Sequence, residues 1–216
     1  TKKLLQCFRP KRYQCPTSGE NGGTKFMKRT VLILGSSEGI AYAEKIQNLL
    51  MSRFRNMNMD YDCVLWSDPI VWENGEVTLT SLIYRAQKLK KEEGFAITLF
   101  TPDDIVKLRN ETQYCSRDNV WLEYGLFVGI MDKSRVFAVC PSEPVEKNGV
   151  KKVWRKPSDF QQFEMKYEYK DTAKEAERDL SDLAVQIADR INLKFPRKSI
   201  PIEQTGNGAP EFRRNY

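Results

Sequence analysis

TVLILGSSEG, residues 30–39, decides the fold. Thr30–Leu34 is an unbroken β-branched and aliphatic run, without the in–out alternation of a half-exposed strand. Such a run predicts a central parallel strand covered on both faces. It stops at Gly35-Ser36-Ser37, residues that turn a chain from strand into helix. The helix is expected over 38–55, where Ile40, Ala43, Ile46, Leu50 and Phe54 recur at spacings of three and four.

Outward from this unit the alternation repeats. Tyr61–Trp66 reads as the second strand, followed by a turn-rich Ser67–Gly75 loop and a helix over 77–90. Phe95–Phe100 is the third strand. Thr101-Pro102-Asp103-Asp104 then offers a cap, a proline at the first helical position and acids in the first turn, which predicts a short helix. Asp118 is expected to cap the next helix, Asn119–Met131, and Arg135–Cys140 is the fourth strand. A long polar loop, 141–158, leads to a fifth strand, Phe163–Tyr169. The last helix is expected over 172–194, with Thr172 and Glu175 as a capping box and one apolar stripe through Ala176, Leu180, Leu183, Ile187 and Ile191. No internal repeat is present. The order predicts an α/β, flavodoxin-like, doubly wound parallel sheet of about five strands. Ligands of such sheets bind at the carboxyl ends of strands. Those ends carry Gly35–Glu38, Trp66-Ser67-Asp68, Thr101–Asp104 and the loop before Arg117.

One domain, 27–195, is expected between a basic, turn-rich tail (1–26) and a linker-like tail (196–216). No apolar run reaches the roughly 18–20 residues of a membrane span. The first residues are basic and lead to Pro, Ser and Gly, unlike a signal peptide. A soluble, cytoplasmic protein is the expectation. The net charge of +6 belongs to the tails: residues 1–30 hold Lys2, Lys3, Arg9, Lys11, Arg12, Lys25, Lys28 and Arg29 against Glu20 alone. Such a tail suits nucleic acid, an anionic surface or an acidic partner, and equally a solubilising segment; the second reading is favoured, and a nucleic-acid partner is not expected.

The chain contains no histidine. That excludes Ser-His-Asp and Cys-His chemistry and every histidine-containing zinc site. The five cysteines, Cys7, Cys15, Cys63, Cys115 and Cys140, are odd in number and scattered, as in a reducing compartment. Cys7 and Cys15 lack the second close pair that a structural zinc needs, so no metal site is expected.

RDNVWLEYGLFVG, residues 117–129, holds the most unusual side chain. Glu123 is the only acid between Val120 and Met131, with Leu126, Phe127 and Ile130 one turn ahead and Asn119 and Val120 one turn behind. A carboxylate among apolar neighbours is either a structural group receiving Arg117 or a backbone donor, or a functional one. Gly125 and Gly129 share a face, suited to close approach by the sheet or by a neighbouring subunit. Ser36 and Ser37 stand where a helix N-terminus can take phosphate, or where a tight turn needs a serine cap. Asp103 and Asp104 read as helix-start acids or as ligands. Trp66 either stacks on a ring or closes the core. Arg117 either binds a ligand's phosphate or ribose or pairs with Glu123 or Asp118.

These segments together resemble the bacterial TIR-like family, the type found fused to STING and other anti-phage effectors. The matching stretches are VLILGSSEG (31–39), VLWSD (64–68), FAITLFTPDD (95–104), RDNVWLEYGLFVG (117–129) and SRVFAV (134–139), with a weaker match through KPSDF (156–160). The resemblance implies cleavage of the nicotinamide–ribose bond of NAD, with NAD as substrate and no cofactor. It also implies activation by self-association into a homo-oligomer, driven by a fused or separate sensor domain. Glu123 falls on the family's catalytic glutamate; Ser36, Ser37, Trp66, Asp103, Asp104, Arg117 and Asn119 fall on its loop and pocket positions. Trp121 and Tyr124 stand where smaller aliphatic residues are usual, and the 141–158 loop is long; both bear on pocket shape. Two other readings share these features: a nucleoside 2-deoxyribosyltransferase-like enzyme, which also breaks an N-glycosidic bond, and a TIR scaffold that assembles without catalysis.

Overall fold

The computed structural model describes residues 29–72, 78–158, 160 and 164–196. The expected tail at 1–26, all but Pro196 of the one at 196–216, and the Cys7/Cys15 pair lie outside the described residues. In chain order the elements are β1 (Arg29–Leu34), α1 (Ile40–Asn56), β2 (Tyr61–Leu65), α2 (Leu79–Lys91), β3 (Phe95–Leu99), β4 (Asp104–Leu108), β5 (Glu111–Cys115), α3 (Asp118–Met131), β6 (Val136–Pro141), β7 (Val145–Lys147), β8 (Val150–Lys152), β9 (Trp154–Arg155), β10 (Glu164–Tyr167) and α4 (Glu177–Lys194).

The main sheet has five strands in the order β10-β6-β3-β1-β2, every neighbouring pair parallel. This is the doubly wound order expected from the sequence. β1 and β3 are adjacent, but the chain leaves them in opposite directions along the sheet, so the switch point lies between their carboxyl ends. Val31, Leu32, Ile33 and Leu34 are wholly buried, and alternate residues serve opposite faces. Val31 and Ile33 meet α1 and α4; Leu32 and Leu34 meet α2 and α3. Each such side chain contributes about 1.5–3 kcal/mol of transfer free energy. Both faces are covered, which is why this strand shows no alternation.

Helix starts follow local chemistry. Thr78 and Ser81 make a capping box at α2: the Ser81 N–H donates to Thr78 Oγ1 at 3.2 Å and the Thr78 N–H to Ser81 Oγ at 2.8 Å. At α4 only half of the expected box forms, with the Glu175 N–H on Thr172 Oγ1 at 3.3 Å. Residues 172–176 are an irregular turn, and the helix proper begins at Glu177. Asp118 does not cap α3. It is the helix's first residue, and Arg117 takes the cap position without a side-chain bond.

Two further expectations are corrected. Thr101–Asp104 does not begin a helix: Asp104 opens β4, which pairs antiparallel with β5 across a turn where Arg109 has φ 54°. Thr101 spends its hydroxyl on Asp103 instead of on a helix N-terminus. The β-branched and aromatic residues Ile105, Val106, Thr112 and Tyr114 then favour a hairpin. The 141–158 loop is also not structureless. It forms the β7–β8 hairpin, and β9 joins β5 in a small sheet ordered β4-β5-β9.

Candidate functional site

At the switch point the loop after β1 meets the loop after β3. Gly35 lets them close: a Cβ there would lie 3.3 Å from the Leu99 carbonyl oxygen and 3.6 Å from the Trp66 ring. A Cβ on Gly39 would lie 3.0 Å from Thr101 Oγ1. Within this contact the hydroxyls form a connected chain. The Gly39 N–H donates to Ser36 Oγ at 3.2 Å; Ser36 Oγ and Thr101 Oγ1 are 3.1 Å apart; Thr101 donates to Asp103 Oδ1 at 2.6 Å. Either hydroxyl can donate in the Ser36–Thr101 contact. Asp103 Oδ2 also accepts the Arg117 N–H at 3.4 Å. Burial raises the Asp103 pKa, opposed by the bonds from Thr101, Ser36 and the Arg117 backbone.

Arg117 links three segments. Its guanidinium pairs with Glu38 and, at 3.4 Å, with Asp104. It pairs with neither Glu123 nor Asp118, the partners open in the sequence. Glu38 is held below its ordinary value, first by its own backbone N–H, against the cost of desolvation, with Ser37 and Arg117 adding to the lowering. Ser37 donates to Glu38 Oε2 at 2.9 Å. Ser36, Ser37, Asp103, Asp104 and Arg117 are thus one connected group. Trp66 packs behind Gly35 against both halves of the core and stays partly exposed, which favours its core-closing reading. Asn119 is exposed in the first turn of α3 and bonds to nothing in this group.

Glu123 stands apart from them. α3 packs on β1, β3 and β6 with its N-terminus at the carboxyl edge of the sheet. Glu123, the sixth residue of α3, lies about 8 Å along the axis. Its Oε2 is buried and has no hydrogen-bond partner, and no cation pairs with it among the described residues. Burial alone raises its pKa to about 7. The structural alternative, a glutamate satisfied by Arg117 or a backbone donor, is therefore not what is seen. Trp121 and Tyr124, on the same helix, are part of an aromatic plug with Phe100, Trp154 and Phe160. The Phe100 and Trp121 rings are 4.1 Å apart and those of Trp121 and Phe160 5.0 Å.

The sequence reading missed the residues that hold this edge together. Ser116, buried, donates to the Thr101 carbonyl at 2.7 Å and accepts the Trp154 indole N–H at 3.3 Å. Glu38 neutralises Arg117. Neither has a local signature, because each partner is distant in sequence. No cluster of three or more metal-type ligands occurs among the described residues. No helix among them is long and apolar enough to cross a membrane.

Residues 31–161, more than half of the chain, match the family model of the CAP12/Pycsar effector protein TIR domain. The chain belongs to that family. This TIR domain is 33% identical over 117 residues to CD-NTase-associated protein 12 of Lachnospiraceae bacterium (strain RUG226), covering 54% of this chain and 33% of that protein. It is 34% identical over 113 residues to CD-NTase-associated protein 12 of Flavobacterium daejeonense, covering 52% and 32%. It is 31% identical over 112 residues to the Pycsar effector protein PaPycTIR of Pseudomonas aeruginosa, covering 51% and 32%. The chain thus spans about a third of the length of these curated relatives. The match to the TIR domain model includes the switch-point loops and all of α3.

Proposed function

We propose that this TIR domain is a NAD glycohydrolase with Glu123 as its catalytic carboxylate, acting as an anti-phage effector in the cytoplasm. The observation that carries the reading is the buried, unpartnered Oε2 of Glu123 on a helix whose N-terminus opens at the switch point. A carboxylate with one oxygen shielded from water and left without a partner gains when a cation comes to it. The nicotinamide ring of NAD is such a cation. As the C1′–N bond breaks, its electron pair leaves with nicotinamide, which departs neutral, and the positive charge moves onto the ribose. No general acid is required, in keeping with a chain without histidine. A carboxylate beside the ribose stabilises the positive charge more once it has moved there than while it is on the ring, which is what lowers a barrier. Water then bonds to C1′ and loses its proton to solvent, giving ADP-ribose; an adenine nitrogen as acceptor gives a cyclic product.

Self-association, directed by a sensor domain fused to this one or separate from it, is proposed as the activating event. The family, and relatives of which the matched segment is only about a third, support it.

Product analysis of NAD incubated with concentrated protein tests the reading. Wild type should release nicotinamide, and Glu123→Gln should lose at least about 100-fold in rate while remaining folded. Equal turnover by the two proteins would defeat the assignment of Glu123. Exchange between deoxynucleosides with NAD untouched would point to the deoxyribosyltransferase-like alternative, and inertness toward both to a scaffold.

A further inference from the structure

The proposed reaction leaves a cation at the carboxyl edge, Lys147, without a role. Lys147 ends β7, and its half-buried ammonium donates to the Pro102 carbonyl at 2.7 Å and, more weakly, to the Asp103 carbonyl at 3.4 Å. These residues carry the chain away from β3 past the switch point. Among the described residues no carboxylate pairs with Lys147. Asp103 lends it a carbonyl, while its carboxylate is occupied by Thr101 and Arg117. Carbonyl dipoles orient an ammonium without neutralising it, and at least one of its three N–H groups is left without an acceptor. Arg117, the other cation in this group, is already neutralised by both Glu38 and Asp104. An anion arriving here is therefore drawn to Lys147 before Arg117.

The fold also holds this lysine in place before any ligand arrives. Val145 anchors β7 in the core. The Tyr114 hydroxyl reaches the Lys147 carbonyl at 3.3 Å and the Val150 carbonyl at 3.2 Å. The Asn148 N–H donates to the Asp171 carboxylate at 2.9 and 3.2 Å, and the hairpin turns through Asn148 (φ 50°) and Gly149 (φ 74°). A cation on a braced backbone needs little ordering when it binds.

We infer that Lys147 binds the diphosphate of a dinucleotide substrate at the carboxyl end of β3; the identity of that substrate rests on the NAD reading above. The anionic middle of the substrate is drawn to Lys147. Its cationic nicotinamide is left for Glu123.

Titration calorimetry on the 216-residue chain tests this with ADP, inorganic pyrophosphate and adenosine against wild type, Lys147→Gln and Lys147→Arg. Lys147→Gln should weaken ADP and pyrophosphate about tenfold or more, leave adenosine within about twofold, and be largely rescued by arginine. Adenosine controls for the integrity of the 101–103 loop. Equal loss of ADP and adenosine would make Lys147 only a prop for that loop and overturn the inference, as would an unchanged ADP affinity. Lys147-dependent ADP binding in a protein that leaves NAD intact would support the anion site and defeat the reaction. NAD turnover with pyrophosphate affinity indifferent to Lys147 would do the reverse.

Discussion

Glu123 couples stability to activity. Its carboxyl titrates near 7 in the fold, against 4.5 for a free glutamate, because burial penalises the charged form. The sign follows: the unfolded chain ionises first, so this residue's contribution to stability is intact below 4.5 and is lost as pH rises to about 7. Glu123→Gln, which cannot ionise, should therefore be more stable than wild type at pH 8, by on the order of 1–3 kcal/mol, and the gap should close at pH 4. Thermal unfolding at the two pH values checks this without reference to catalysis; a variant less stable at pH 8 would contradict the burial. For turnover the ionised form is the active one. The kcat/KM for NAD should rise through about pH 7 and level off above it. A profile flat from 5 to 9 would remove Glu123 from the rate-determining chemistry.

Among the elements, α3 has two unlike faces. Val120, Tyr124, Phe127 and Met131 are buried, while Leu122 is 57% exposed beside Gly125 and Gly129. A Cβ on either glycine meets nothing within 4 Å, so neither brings the helix close to the sheet, one of the two roles considered from the sequence. Gly125→Ala and Gly129→Ala should each stabilise the domain by about 0.5–1 kcal/mol, read from urea unfolding. Gly94 is the contrasting case. A Cβ there would stand 2.6 Å from the Thr30 carbonyl oxygen and 2.8 Å from Leu89 Cδ2, so the backbone entering β3 must shift. Gly94→Ala should cost about 2 kcal/mol or more. The reverse order of effects in the same experiment would mean that the α3 face is covered in solution. The hairpin β4–β5 shows why local signals failed after β3. Thr-Pro-Asp-Asp has the composition of a helix start, but the residues beyond it pair across a turn, and the Thr101 hydroxyl is shared with Asp103 and with Ser36, which is 65 residues away.

For the molecule as a whole, the proposed dependence on self-association predicts a rate per molecule that rises with protein concentration. Fusion to an inducible dimeriser should raise it in dilute solution, as followed by nicotinamide release. Activity per molecule that is constant across dilution would show the single domain to be sufficient. The doubly wound parallel sheet and the single acid of an apolar helix were legible in the sequence because each is written in near-neighbour pattern. Buried parallel strands are unbroken apolar runs, helices repeat at three and four, and a single acid interrupts an apolar helix. What surrounds that acid was not legible. Whether Arg117 would reach Glu123 or turn to Glu38 and Asp104, whether Ser36 would cap a turn or bridge to Thr101, and that Ser116 and Lys147 would hold the 101–103 loop all depend on contacts between segments tens of residues apart. Such contacts are selected only once the sheet has set its register. Secondary structure and a single acid in an apolar helix are local properties of the chain; the partners each polar group finds, or fails to find, are decided by which loops the closed sheet brings to one edge.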